Sequence, residues 1–223
     1  RMEMDLGGFV EMADAIWELE DAFGGYVGRA TPVLVEEGEG IADDGLARRV
    51  SADIPADDAM PRQPILKVYP TDLDGDGNEE LIVLRGRSAY CLNAAGETLW
   101  SYTTDGIARS VCAGDLDGDG VPEVLVGSDD EHVYVLDAAG VELRRHHCDI
   151  PLRVGRSSVR YPRVGTLAVG DLEGDGKPDI IAGLLNANLM RYDVDFNTVW
   201  RVDSIEHGSG ELELLDLDGD DTL

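Results

Sequence analysis

The sequence predicts an all-β fold built from four-stranded antiparallel units, each about as long as one blade of a β-propeller. An acidic, glycine-rich motif recurs with its first aspartate at residues 72, 115, 171 and 216. Apolar runs flank each copy, and the segment Ala89–Gly96 is repeated almost residue for residue as Val133–Gly140. The copies are spaced about 43 to 56 residues apart, which is close to the length of a four-stranded blade.

Strands are predicted on both sides of each acidic motif. The residues there alternate between apolar and polar, or they are consecutive apolar residues rich in β-branched side chains. The runs before the motif are residues 65–69, 110–113, 166–169 and 212–215, and those after it are residues 81–84, 124–126 and 180–181.

In the second half of each unit, the sequence predicts two further strands joined by a tight turn. The repeated Ala-Ala-Gly segment forms that turn in the first two units, and residues 188–193 are a weaker copy in the third. Trp100 and Trp200 follow the turn and are predicted to pack between blades, whereas Arg144 stands where the second unit would have its tryptophan. The third unit begins with a longer connection, including residues 154–163, which we interpret as an extended loop.

Residues 1–63 differ in kind from the repeat region, residues 64–223. Apolar side chains at three- and four-residue steps predict a short amphipathic helix over residues 8–23, ended by Gly24 and Gly25. Residues 31–35 are predicted to form a short strand. Residues 36–62 are acidic and rich in Ala, Asp and Pro, and are assigned to a loop or an irregular blade.

Charge and composition exclude several functions. The 223 residues contain 46 acidic and 18 basic side chains, a formal net charge of -28, which disfavours nucleic acid and anionic membrane surfaces as partners. No run of about 18 apolar residues is present, so membrane insertion is not expected. The cysteines, Cys91, Cys112 and Cys148, lack the spacing of a zinc site and are interpreted as core residues. His146, His147 and Cys148 are adjacent, but a single His-His-Cys segment in a loop-like stretch favours a solvated or structural role over a metal site.

The acidic motif predicts a calcium-binding loop. Calcium takes six to eight oxygen ligands, and the side chains at positions 1, 3 and 5 of such a turn point inward together. The carbonyl of position 7 and the carboxylate of position 9 complete the predicted shell, and glycines at positions 4 and 6 permit the tight turn. The predicted ligands are Asp72, Asp74, Asp76, Asn78 and Glu80 in the first loop, Asp115, Asp117, Asp119, Val121 and Glu123 in the second, and Asp171, Glu173, Asp175, Lys177 and Asp179 in the third.

An EF-hand begins with a similar motif but is excluded by two features. It needs a bidentate glutamate at position 12 of the loop, where this sequence has Val83, Val126 and Ala182. It also needs flanking helices, whereas the flanks here are predicted strands. A solvated acidic surface loop is the other alternative, and the repetition in three matching contexts argues against it.

The motif Asp-Leu-Asp-Gly-Asp-Gly followed by an apolar strand resembles the FG-GAP/VCBS type of repeat, as found in the propeller blades of integrin α-subunits. The resemblance covers about residues 64–223 and implies calcium held between the first two strands of each blade, in a secreted or cell-surface protein. The fourth loop departs from the pattern, because Asp221 stands at a glycine position and the sequence stops before position 9. Its predicted ligands are Asp216, Asp218 and Asp220, an incomplete set.

Two functions remain open from the sequence. The first is an extracellular recognition, adhesion or surface module whose partner is a protein or a glycan. The second is a propeller-type carbohydrate-active enzyme such as a polysaccharide lyase, for which the candidate groups lie in the long connection: Arg153, Arg156, Arg160, Tyr161 and Arg163. Three or four blades do not close a ring of the usual size. We therefore expect that the first 64 residues supply further strands, that this sequence is part of a longer chain, or that several copies associate, and of these we favour the longer chain.

Overall fold

The computed structural model describes residues 29–30, 52–54, 64–154, 158–203, 212 and 214–215. Every regular element in this part of the chain is a β-strand. The strands are β1 (Arg29–Ala30), β2 (Ala52–Asp53), β3 (Ile65–Thr71), β4 (Glu80–Arg85), β5 (Ser88–Leu92), β6 (Thr98–Thr103), β7 (Ala108–Gly114), β8 (Glu123–Ser128), β9 (His132–Leu136), β10 (Glu142–His147), β11 (Leu152–Val154), β12 (Ser158–Arg160), β13 (Val164–Gly170), β14 (Asp179–Leu184), β15 (Asn188–Tyr192) and β16 (Thr198–Asp203).

Three four-stranded antiparallel sheets carry the repeat. Their strand orders are β3-β4-β5-β6, β7-β8-β9-β10 and β13-β14-β15-β16, so each sheet is a meander in which consecutive strands are hydrogen-bonded neighbours. We call them blades one, two and three. They confirm the predicted all-β class and the predicted unit of strand, acidic loop, strand, turn, strand, turn and strand. Within the described ranges, no helix has the length and apolar character needed to cross a membrane.

Burial in each blade is greatest in the two middle strands. All six residues of β8 and all six of β14 are buried, whereas all six residues of the outermost strand β16 are exposed. A strand that packs against neighbouring blades on both faces needs apolar residues in succession rather than in alternation. This explains why the run after each acidic motif is continuously apolar, and it places position 12 of each loop inside the core.

The hydrophobic core lies between blades. One cluster joins blades one and two and includes Leu84 and Val124, both fully buried. A second joins blades two and three and includes Leu125 and Met190, which are fully buried as well. The first strands of the three blades line a small cavity of about 150 Å³, formed by Leu66, Lys67, Arg109, Ser110, Val111, Gly165, Thr166 and Leu167.

Trp100 packs between blades one and two, as predicted. Its indole Nε1 donates a hydrogen bond of 2.9 Å to the carbonyl oxygen of Ala138, in the Ala-Ala-Gly turn of blade two. The ring lies directly over Gly140, where a Cβ atom would be 2.5 Å from the nearest ring carbon. Gly140 also has a φ of +78°, so both the close approach and the backbone conformation select glycine at this position.

Arg144 performs the equivalent task between blades two and three. It occupies the register position of Trp100, since Trp100 pairs with Cys91 and Arg144 pairs with Val135 in matching strands. Its guanidinium donates to the carbonyl oxygen of Val194 and lies 5.5 Å from the centre of the Phe196 ring. The arginine therefore replaces both the hydrogen bond and the flat packing surface of a tryptophan. Trp200, at the same position in blade three, is 36% exposed.

The long connection of the third unit contains a hairpin rather than an extended loop. Strands β11 and β12 pair antiparallel, with Leu152 opposite Arg160 and Val154 opposite Ser158. The interpretation as an extended loop was wrong because each strand has only three residues, which is shorter than the run of about four to eight residues over which alternation indicates a strand.

The predicted helix over residues 8–23 and the predicted strand over residues 31–35 lie outside the described residues. The described part of the N-terminal region contacts blade one. Ile54 packs with Ile65, Val83 and Leu92, and its carbonyl oxygen accepts a 2.7 Å hydrogen bond from Arg85 Nη1.

The contact between Gly140 and Trp100 generates a stability prediction. Gly140→Ala adds a strained positive φ, at about 1–2 kcal/mol, and forces the new Cβ into the indole ring, at about 1–3 kcal/mol more. Urea unfolding in EDTA measures the loss. Gly176→Ala is the matched control, because Gly176 has a φ of +82° and no atom lies within 4 Å of its Cβ position. This substitution therefore adds backbone strain without a steric clash. Equal losses in the two variants, or no relief of the Gly140→Ala penalty in a Trp100→Ala background, would contradict the packing role.

Candidate metal centres

The acidic loops connect the first and second strands of the three blades. In each loop, position 1 directly follows the first strand and position 9 is the first residue of the second strand: Glu80 begins β4, Glu123 begins β8 and Asp179 begins β14. The strand pairing brings the two ends of each loop together, since Thr71 lies opposite Glu80 and Gly114 lies opposite Glu123. The loop carboxylates are therefore held close by the sheet itself.

Two of the loops bring three carboxylates within reach of one ion. In the first loop, ligand atoms of Asp72, Asp74 and Glu80 all lie within 4.8 Å of one another. The second loop repeats this arrangement at the same positions with Asp115, Asp117 and Glu123. These donors are all hard oxygens, the type that calcium and magnesium prefer. The residues present therefore fit a divalent cation.

The position 1 aspartate organises the turn through backbone hydrogen bonds. Asp115 Oδ1 accepts from the N–H of Gly118 at 2.7 Å, and Oδ2 accepts from the N–H of Gly120 at 2.9 Å. These bonds favour the ionised carboxylate and lower the pKa of Asp115, with the bond from Gly120 the largest cause. The two glycines have φ values of +80° and +89°, which wind the backbone around the carboxylate. Asp72 and Asp171 make the corresponding bonds with Gly77 and Gly176.

The position 9 carboxylate closes each loop from the other side. Glu123 Oε2 accepts a 2.8 Å hydrogen bond from the buried N–H of Leu116, and Glu80 does the same for Leu73 at 3.0 Å. Burial raises the pKa of both glutamates, and the negative charges of the loop aspartates raise it further. A partly buried carboxylate is therefore crowded by like charges, and a bound divalent cation would relieve that repulsion.

The aspartate at position 5 lies apart from the other predicted carboxylate ligands. Asp76 and Asp119 are not members of the three-carboxylate groups. Each one instead accepts a hydrogen bond from the backbone N–H of position 7, from Asn78 at 2.7 Å and from Val121 at 2.8 Å. Asn78 and Val121 are themselves exposed. The structure thus brings together positions 1, 3 and 9, and position 5 caps the end of the turn.

The third loop has the same backbone course but different partners. Asp171, Glu173 and Asp179 do not form a three-carboxylate group like those of the first two loops, although all nine loop residues are described. Asp179 instead receives two parallel 2.8 Å hydrogen bonds from Arg191 Nε and Nη2, and Glu173 receives one of 2.9 Å from Nη1. The Lys177 ammonium lies 3.2 Å from Asp175.

Two further groups of residues were considered in the sequence analysis, the fourth acidic set and the histidine and cysteine residues. The fourth set, Asp216, Asp218 and Asp220, lies outside the described residues. The His146-His147-Cys148 segment is described and packs as ordinary structure: His146 stacks on Phe196 with ring centroids 4.6 Å apart. Cys91, Cys112 and Cys148 are free and buried, as predicted.

Sequence reasoning missed Arg191. It lies on β15 opposite Ile181, in register with Cys91 of blade one and Val135 of blade two. A charged residue at a position that is small and apolar in the other copies was the available signal. Its partners are 12 and 18 residues away along the chain, so the link to the loop follows only from the pairing of β14 with β15.

Comparison with known proteins supports the repeat and the fold. Residues 72–126 match the family described as FG-GAP-like repeat, so the chain contains a repeat of this type. No curated protein matches the sequence. Among solved structures, BBS1N in complex with ARL6DN aligns with a TM-score of 0.53 at 12% identity, over 67% of this chain and 47% of that one. The Vibrio cholerae biofilm matrix protein Bap1 aligns with a TM-score of 0.50 at 20% identity, over 74% of this chain and 24% of that one.

These likenesses concern the fold, since both identities are low. The chain spans less than half the length of either solved structure. The class of the described region is therefore a propeller-type all-β protein with FG-GAP-like repeat character.

Glu123 accepts a hydrogen bond from the Leu116 N–H and also adds a negative charge to the carboxylate group. These two roles can be separated in the metal-free protein. Glu123→Gln keeps an oxygen for the Leu116 N–H and removes a crowded charge, so in EDTA we expect stability equal to or above that of the unaltered chain. Glu123→Leu leaves the buried N–H without an acceptor, and we expect a loss of about 1–3 kcal/mol by urea unfolding. Similar stabilities for the two variants in EDTA would show that the hydrogen bond to Leu116 does not hold the loop.

Proposed function

We propose that this chain is a calcium-stabilised propeller module that acts in recognition, adhesion or surface architecture outside the cell. The observation that carries the metal assignment is the repeated group of three carboxylates at positions 1, 3 and 9 of the first two loops. The same geometry at the same place in two blades argues for one shared ligand rather than for chance crowding of acidic residues.

The donor set favours calcium among the common metals. Structural zinc sites are built from cysteine and histidine, and neither residue occurs within the first two loops. Magnesium requires near-ideal octahedral geometry and keeps several waters, whereas calcium accepts six to eight oxygens in a flexible shell. Backbone carbonyls and water can add to three carboxylates in an exposed turn. When bound, the ion would supply positive charge that holds the loop carboxylates together at the start of β4 and β8.

An extracellular location fits a metal that serves structure. Loops of this kind are filled at the calcium concentrations found outside cells, about 1 mM, without a tightly closed site. The proposed partner is a protein or a glycan on a surface. The relatives in fold support a binding role, because BBS1N was crystallised in a complex with ARL6DN and Bap1 is a biofilm matrix protein. With a net charge of -28, this chain favours a partner with basic character.

Asp117→Asn tests the metal assignment. The change removes one charge from the second carboxylate group, so we expect at least about a tenfold loss of calcium affinity at that loop by isothermal titration calorimetry. The melting temperature should fall in calcium and stay nearly unchanged in EDTA. Asp149→Asn is the matched control, because Asp149 is an exposed acidic residue outside the loops. A variant that behaves like this control, or one that loses equal stability with and without calcium, would contradict calcium binding at Asp117.

Protease treatment of intact source cells tests the location. If the protein is secreted or displayed, an antibody against this chain should detect it in the medium or on cells, and external protease should remove the cell-bound signal. A cytosolic enzyme in the same cells should stay intact. Full protection of the chain until the cells are lysed would contradict an extracellular role.

A further inference from the structure

We propose that Arg191 replaces the metal ion in the third loop, so that this loop is closed by an internal cation while the first two depend on calcium. The inference rests on the proposed function, because it concerns how calcium is distributed among the loops. Three features of the third blade support it: the position of Arg191, the geometry of its contacts and the changed lengths of two loop side chains.

The first feature is the position of Arg191 beneath the loop. In all three blades, the residue two places after loop position 9 pairs with a residue of the third strand: Ile82 with Cys91, Leu125 with Val135, and Ile181 with Arg191. Arg191 is only 8% exposed. A buried guanidinium needs charged partners, and the loop carboxylates are the ones within reach.

The second feature is the set of contacts. Arg191 binds Asp179 with a two-pronged pair of 2.8 Å hydrogen bonds and binds Glu173 with a third of 2.9 Å. Asp179 and Glu173 are positions 9 and 3, the same positions that meet position 1 in the carboxylate groups of the other loops. Two of the three carboxylates at positions 1, 3 and 9 are therefore already committed to a cation. The planar fork of arginine suits this role, because it satisfies one carboxylate with two bonds and still has a donor for the second.

The third feature is an exchange of side-chain lengths. Position 3 is aspartate and position 9 is glutamate in the first two loops, whereas the third loop has Glu173 and Asp179. The shorter side chain of Asp179 leaves room for the guanidinium of Arg191, which lies on β15. The longer side chain of Glu173 reaches Nη1 of the same guanidinium. Asp179 still accepts the closing hydrogen bond from the N–H of Leu172, at 3.2 Å. The loop therefore keeps its fold with a cation that is larger than a metal ion.

The basic residues in and near the third loop also support this inference. Positions 1 to 9 of the first and second loops contain only acidic charges, whereas the third contains Lys177, and Arg191 lies directly below it. A divalent ion at the third loop would lie beside the guanidinium and would have to displace it from Asp179. Like charges at such short range repel strongly in a partly buried site. The expected consequence is that blade three stays ordered at calcium concentrations at which the first two loops are empty.

Calcium counting in the full chain tests this inference. We expect Asp72→Asn and Asp115→Asn each to reduce the number of ions bound at about 1 mM free calcium, as counted by equilibrium dialysis with radioactive calcium. Asp171→Asn, the matched change in the third loop, should leave the number unchanged. A loss of one ion in Asp171→Asn would overturn the inference. This arm keeps Arg191 in place, so it does not depend on the folding of an arginine variant.

Arg191→Val provides the reciprocal arm, because valine is the residue at this position in blade two. We expect one additional calcium ion per chain, which is lost again when Asp171→Asn is added. The melting temperature in EDTA should fall by about 5 °C or more and should recover in calcium. A folded Arg191→Val protein that gains no ion would overturn the inference. If Asp72→Asn and Asp115→Asn also leave the count unchanged, the proposed function fails for those loops, and the gain or absence of an ion in Arg191→Val still decides the role of Arg191.

Discussion

Carboxylates gathered at the start of the second strand need a positive charge, and this is the constraint on which the blades depend. The residue that begins β4 or β8 is both the first member of a core strand and a member of a three-carboxylate group. Its carboxylate also closes the loop by accepting a backbone N–H from position 2. The loop and the core strand are therefore one structural unit, and any cation that neutralises the group stabilises the pairing of the first two strands as well.

The blades use chemically different groups for the same geometric task. In blade three a guanidinium lies against the carboxylates that elsewhere form an open group of acidic oxygens. The contacts between blades follow the same pattern, because an indole N–H binds the turn of blade two and a guanidinium binds the turn of blade three. Arginine can make both substitutions because it combines a permanent charge, several directed donors and a flat face. Sequence divergence among the repeats thus preserves contacts rather than residue types.

Much of the fold could be predicted from the sequence, because strands and turns are indicated by residues that are close together along the chain. The apolar runs around Ile65–Tyr69 and Leu81–Leu84 became β3 and β4, with small shifts at the ends. In the first two loops, positions 1, 3 and 9 lie close together, without the aspartate of position 5 that the sequence analysis placed among them. The role of position 5 was less accessible, since Asp76 can face an ion or cap the next N–H, and sequence spacing does not distinguish these orientations. The hairpin of β11 and β12 was missed because each strand has only three residues, too short a run for a periodic pattern to stand out.

By itself, the amino-acid sequence determined the repeat, the strands around it and the acidic turns, because these depend on residues close together along the chain. Only the tertiary structure decided that Arg191 pairs with the carboxylates of the third turn and which side chain joins neighbouring blades. Arg191 meets Asp179 across paired strands, and Trp100 meets Ala138 across a blade boundary. Such contacts are selected by strand register and by the packing of one sheet on another, which no local pattern of residues specifies.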